Sequence, residues 1–380
     1  MAGPRRLRTL HVTGGAGWGG REMQTLRLAA GLAAKGHRQL VAAIAGSPIE
    51  RSEGLGEVGI EVRALPLGHV ARIRALRSIA ASEPWDTIHL HDVGSLKDLG
   101  WAGIGRSLPP RILTVRGDVA YADRVLPAGT PMGKVDHFVA VSEWVWSAMV
   151  RAGVDENRLT VIHTAVDLEH FTTTPAQMQS LRRASRAAFE IEEEAFVVGT
   201  VQHLTAAKGV EHLIEAIRMI RANETPPGDG TMRLVVAGHG PHSAALNEAA
   251  ANRGLRGAVL LTGWVKDVRE TLAALDLYVH PAVSGGAFPV AMREAMAMTV
   301  PVVATDLSGI REIIDNGKHG LIVPAGDPGA LAMNIMKCRR DPETARRMGR
   351  AGNLKVQRYG VQAMVDRTEE VYFRVARQEV

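Results

Sequence analysis

The stretch from His280 to Asp306, HPAVSGGAFPVAMREAMAMTVPVVATD, decides how the rest of the chain is read. An apolar strand closing on His280-Pro281 runs into a glycine-rich turn, Phe288-Pro289 opens a short helix carrying Glu294, and a second apolar strand follows at once. Such alternation belongs to parallel sheets with crossover helices. A turn whose backbone amides sit at a helix start favours an anion, because unpaired N–H groups and the helix dipole point the same way. Phosphate is the expected anion. Glu294, one turn further in, can accept hydrogen bonds from sugar or ribose hydroxyls, so the pair fits a nucleotide-sugar pocket.

The same alternation runs outward in both directions. In the first half the expected strands are Leu7–Thr13, Gln39–Ala45, Glu61–Leu65, Thr87–Leu90, Arg111–Val115, His137–Val141 and Leu159–His163. A helix over Glu22–Lys35 is expected to end at Gly36, and the helix SEWVWSAMVRAG to be capped by Ser142 and closed by Gly153. The polar segment Thr164–Ser185 reads as a linker. A second set of strands follows at Phe196–Thr200, Arg233–Ala237, Val259–Thr262, Leu277–His280, Pro301–Thr305 and Gly320–Val323, with a proline-rich loop at Asn223–Thr231. The expected architecture is α/β, two doubly wound Rossmann-like domains over 1–170 and 186–360, facing each other across a cleft. A length of 380 residues agrees with two domains.

Composition narrows the function. One cysteine, Cys338, leaves no intrachain disulfide or cysteine-rich zinc site and fits a reducing, cytoplasmic setting. No segment reaches the roughly 18 uninterrupted apolar residues of a membrane span. The net charge of +5 is modest, and aromatic and basic residues do not interleave, which argues against a nucleic-acid partner. The stretch HVARIRALRSIAAS sets Arg72, Arg74 and Arg77 against Val70, Ile73, Leu76 and Ile79, a basic amphipathic helix that is either a solvated face or a contact for anionic membrane.

Several turns carry candidate chemistry. Gly15-Ala16-Gly17-Trp18-Gly19-Gly20 has the dinucleotide-site spacing, but no acidic residue ends the second strand, so a phosphate or acceptor approach, or simply a tight turn, is left. His203 and Lys208 flank the turn after Phe196–Thr200, where a lysine adds positive charge at a helix start. Gly238-His239-Gly240 and Gly263-Trp264-Val265 follow neighbouring strands and share that rim. His89 and His91 alternate on one strand face without an apparent third metal ligand. His89 is expected in the core and His91 nearer the cleft. No P-loop is present and no Ser-His-Asp order, which argues against P-loop and acyl-transfer chemistry.

In order, GGREMQTLRLAAGLAAKGH, VDHFVAVSEWVWSAMVRAGV, RLTVIHTAVDLEHF, KGVEHLIEAI, VVAGHGP, LTGWVKDV, FPVAMREAMA, PVVATDLSGIREII and GLIVPAGDP resemble the family 4 retaining glycosyltransferases of the GT-B fold over nearly the whole chain. A smaller similarity points to members that build lipopolysaccharide core or other cell-surface glycans. The resemblance implies a sugar moved from a nucleoside diphosphate to an acceptor hydroxyl of a glycan or lipid-linked molecule, with retention, no metal and no further cofactor. It implies that Lys208 and the amides around Phe288, Pro289 and Val290 stabilise the leaving diphosphate and that Glu294 holds the ribose, beside His203, Gly238, Val265 and Gly286. Gly19, Gly20, Glu22, His91 and Arg116 would line the acceptor side, and a final helix, Val361–Arg374, would return to the first domain.

Five positions depart from the family pattern: Gly286 replaces the first glutamate, His203 an arginine, Arg116 a histidine, Thr164 an asparagine and Thr299 a glycine. A different donor, or compensating charge from Arg116, would account for Gly286. The alternatives are a catalytically silent relative that binds nucleotide sugar or glycan, and a GT-B sugar epimerase.

Overall fold

The computed structural model describes residues 5–15, 17, 19–101, 109–115, 131–223, 232–285 and 288–377. The chain divides into two units, Met1–Ala165 with Tyr359–Val380, and Val166–Arg358.

The first unit carries a seven-stranded parallel sheet in the order β3-β2-β1-β4-β5-β6-β7. Its strands are β1 Arg8–Thr13, β2 Arg38–Ile44, β3 Ile60–Leu65, β4 Thr87–Leu90, β5 Arg111–Val115, β6 His137–Ala140 and β7 Leu159–Val161. The second unit carries a six-stranded parallel sheet in the order β10-β9-β8-β11-β12-β13. Its strands are β8 Phe196–Val201, β9 Met232–Ala237, β10 Val259–Gly263, β11 Leu277–His280, β12 Val302–Thr305 and β13 Leu321–Val323. Central strands covered by helices on both faces read as unbroken apolar runs, and β4, β6, β11 and β12 are buried at every position. All thirteen expected strands form, with ends shifted by two residues at most.

Local signals act as the sequence indicates. Ser142 accepts a hydrogen bond from Val145 N at 3.1 Å, and Gly36 and Gly153 take the positive φ values of 85° and 89° that close their helices. The segment 164–185 is corrected. From Val166 on it is built into the second unit, and it carries the helix Leu168–Phe171 and the start of the helix Pro175–Ala188. Thr174 and Gln177 form a reciprocal capping box ahead of Pro175. Polar composition hid a helix whose inner face is itself polar: the guanidinium of Arg186, 4% exposed, donates to Asp276 at 2.8 Å and to the carbonyls of Ala274, Glu193 and Ala195.

The C-terminal helix Val361–Ala376 belongs to the first unit, where Met364, Val365, Val371 and Tyr372 join Leu28, Leu32, Ile112 and Val139 in one apolar cluster. Lys35 pairs with Asp366 and Glu369, and His37 with Glu369, at its solvent edge. Among the described residues no helix is long and apolar enough to cross a membrane.

Candidate functional site

Strand order reverses between β8 and β11 in the second sheet, the place where parallel sheets open a crevice at their carboxyl ends. The turns leaving these two strands are locked together. Val283 N and Ser284 N both donate to Ala207 O, at 2.9 and 3.2 Å, and Gly209, with φ of 64°, lies so close to Pro281 that a Cβ would stand 2.0 Å from its carbonyl oxygen. Lys208 and the Phe288 turn, 80 residues apart in sequence, thereby share one rim. Lys208 is half-buried, and burial lowers its pKa, with no carboxylate among the described residues offsetting the cost. A desolvated cation held that way is matched to an anion supplied from outside.

The helix Val290–Ala297 starts at Pro289 with no side-chain cap, as does the helix Val210–Ala222 after Gly209. Ser142, Asp167, Thr174, Asp327 and Asp341 cap other helices, while those starting at Gly20, His69, Ser243, Ile310 and Val361 are uncapped as these two are. The first-turn amides at Val290 are therefore left to another acceptor. Glu294 is 4% exposed, and its charge raises the Tyr278 pKa further beyond what burial does, which sets it beside β11.

Arg293 escaped the sequence reading. It is fully buried, donates from Nε to Pro289 O and from Nη2 to Phe288 O, both at 3.3 Å, and lies 4.2 Å from the Phe288 ring centre. It braces the turn from below. Nothing in the pattern FPVAMREAMA distinguishes that arginine from a surface one.

The rim continues through β9 and β10. Gln202 N donates to Ala237 O, Leu204 N to His239 O and Gly238 N to Gly263 O, so the turns after β8, β9 and β10 are stitched by main chain. His203 is exposed and stands edge-on to His239, the centroids 5.5 Å apart. Val265 is half-buried beside Trp264, which is 56% exposed. Gly286 and Arg116 lie outside the described residues.

In the first unit the order reverses between β1 and β4. Asp92, directly after β4, accepts hydrogen bonds from Gly14 N at 2.7 Å and from Ser95 N and Oγ at 2.8 and 2.9 Å, fixing the glycine loop. Glu22 is folded beneath that loop, 5% exposed, where a Cβ on Gly15 would lie 2.0 Å from Oε1. Gly19 and Gly20 start the helix above it without a side-chain cap. Arg21 stands 3.9 Å from Asp92 and 4.0 Å from Glu22. Two carboxylates under the turn repel phosphate and suit hydroxyl donors.

The expectation for His91 is corrected, as is the missing third ligand. His91 is 2% exposed, and His11 on β1, opposite His89 in register, completes a triad in which one ring nitrogen from each residue lies within 4.8 Å of the others. Residue spacing within β4 could not show a partner on the neighbouring strand. His11 Nδ1 meets His91 Nε2 at 2.9 Å and its Nε2 meets Gln39 at 2.8 Å, while His89 bonds Tyr372 and Thr114 at 2.6 and 2.5 Å. The rings of His89 and His91 stack, 4.3 Å apart and 28° from parallel. With both ring nitrogens of His11 and of His89 engaged, the set forms a hydrogen-bonded network tying the C-terminal helix to the sheet. Burial pushes the His11 pKa down to about 4.

Residues 18–170 match the model described as Glycosyltransferase Family 4, and residues 182–355 the model described as Glycosyl transferases group 1. The chain is 24% identical over 318 residues to the putative colanic acid biosynthesis glycosyltransferase WcaL of Escherichia coli K12, covering 71% of this chain and 74% of that one. It is 28% identical over 208 residues to the putative glycosyltransferase EpsD of Bacillus subtilis, where the match takes in 54% of this chain and spans 52% of that protein's length. The crystal structure of Anabaena Alr3699/HepE in complex with UDP and glucose superposes with a TM-score of 0.83 at 21% identity, covering 96% of this chain and 99% of that one. The fold is GT-B.

Proposed function

The chain belongs to the group 1 and family 4 glycosyltransferases, and from that premise we propose that it moves a sugar from a nucleoside diphosphate to a hydroxyl of a glycan or lipid-linked acceptor in cell-surface polysaccharide synthesis. The observation that carries this is Lys208, desolvated without a carboxylate partner among the described residues, on the same rim as an uncapped helix start at the switch point of the second sheet. As the bond from the anomeric carbon to the diphosphate breaks, the departing oxygens gain charge. The Lys208 ammonium and the amides at Val290 stabilise that charge, and Glu294 takes the ribose hydroxyls. The acceptor oxygen bonds to the anomeric carbon, and its proton passes to the leaving phosphate. Retention and metal independence follow the family resemblance and belong to the proposal. A nucleotide-sugar donor is supported by the UDP and UDP-glucose complexes of the Anabaena protein.

The glycine loop over Glu22 and Asp92 serves the acceptor, whose hydroxyls can donate to a carboxylate-rich turn. Arg72 is committed to Asp98 at 2.6 Å and leaves the basic face, while Arg74 and Arg77 on the same helix are exposed, as are Leu67 and Val70 at its start, 72% and 61% exposed. That patch fits contact with anionic lipid, and co-sedimentation with phosphatidylglycerol vesicles, lost in Leu67→Ser with Val70→Ser, checks it. The enzymatic reading is tested by nucleoside diphosphate release. Release that requires acceptor supports transfer, donor binding without turnover marks a silent binding module, and epimerised sugar without acceptor marks an epimerase.

A further inference from the structure

We propose that His280 is a positioning residue for Lys208, its Nδ1 accepting one hydrogen bond from the ammonium so that the other two N–H bonds aim at the diphosphate. The inference rests on the diphosphate reading above. His280 ends β11, and Lys208 closes the turn Ala206–Lys208 after β8. Their chain neighbours are in direct contact, through Val283 N to Ala207 O and the close approach of Gly209 to Pro281.

His280 is 4% exposed, and its Nδ1 has no hydrogen-bond partner among the described residues. Thr305 Oγ1 donates to the carbonyls of His280 and Ala282, at 3.2 and 2.6 Å, so the backbone on both sides of Pro281 is held in place. A second buried acceptor, Gln202 Oε1, is equally unmatched, while its Nε2 donates to Lys208 O at 3.3 Å. The unmatched His280 Nδ1 lies close enough to Lys208 to feel its charge, and an ammonium with three donors is complementary to it, so pairing the two removes both desolvation costs. Burial and the nearby Lys208 charge push the His280 pKa down to about 3, so the imidazole is neutral and keeps a lone pair at working pH.

The test is a double-mutant cycle read by calorimetry with UDP, GDP and ADP, and with the matching monophosphates. His280→Leu is expected to weaken the best diphosphate about tenfold, the worth of one hydrogen bond to a charged group, and to leave the monophosphate unchanged. His280→Gln, which keeps an acceptor, should recover most of the loss. In a Lys208→Met background His280→Leu should cost nothing more. Equal losses for diphosphate and monophosphate, or the same loss in the Lys208→Met background, overturn the proposal. His280→Met serves if His280→Leu fails to fold. Wild-type protein that binds none of the diphosphates, or Lys208→Met that binds like wild type, instead removes the diphosphate reading and this proposal with it.

Discussion

A lysine that loses water on folding and gains no carboxylate among the described residues costs stability, and in the proposed site at Lys208 an arriving anion offsets that cost. Lys208→Met should therefore lower kcat by about a hundredfold or more, the scale seen when a donor to developing charge is removed, while the apo protein melts no lower than wild type. Steady-state kinetics and a thermal melt check both halves. Glu294→Gln should act on KM, raising it for the donor by about tenfold with a smaller change in kcat, because ribose is gripped equally in ground and transition states. The places of both, in the turn after β8 and one turn into the helix Val290–Ala297, were legible because each turn and helix is contiguous in sequence. Asp92, His11 and Arg293 were not. Asp92 acts on Gly14 from the turn after β4, 78 residues away, His11 meets His89 only across the β1–β4 register, and Arg293 looks like any helical arginine until its carbonyl partners are seen.

The helix Val290–Ala297 shows what element-scale reading can and cannot reach. Thr299, where the family pattern has glycine, adopts φ of 62°, and Val300 N reaches back to Ala295 O at 3.0 Å. A β-branched residue in the left-handed region is strained, so Thr299→Gly should stabilise the protein by about 1 kcal/mol, measured by urea denaturation. An unchanged or lowered midpoint would mean that the Thr299 hydroxyl bond to Met298 O, 2.6 Å, offsets the strain. Strands were readable because burial on both faces writes an apolar run into the sequence. The helix Pro175–Ala188 was not, since it buries Arg186 against Asp276 and three carbonyls instead of an apolar stripe.

Across the whole molecule, buried neutral histidines make stability fall on acidification. His11 and His137 have pKa values pushed down to about 4, in both cases chiefly by burial, with Arg374 and Arg158 adding to the shift at His137. In the unfolded chain each titrates near 6.5, so below that pH the unfolded state binds protons the folded state refuses. Stability contributed by these groups is complete above pH 6.5, falls as pH drops toward 4, and levels off below it. The loss is on the order of 3 kcal/mol per histidine. His11→Asn should flatten that slope between pH 6 and 4 in urea melts, and an unchanged slope would remove His11 from the account.

The central claim is that the switch point of the second sheet holds a nucleoside diphosphate. A crystal structure with the tightest-binding nucleoside diphosphate tests it most directly. The account predicts phosphate oxygens within hydrogen-bonding distance of Lys208 Nζ and of the amides at Val290, with the ribose on Glu294. A diphosphate seated elsewhere, with Lys208 untouched, would contradict it.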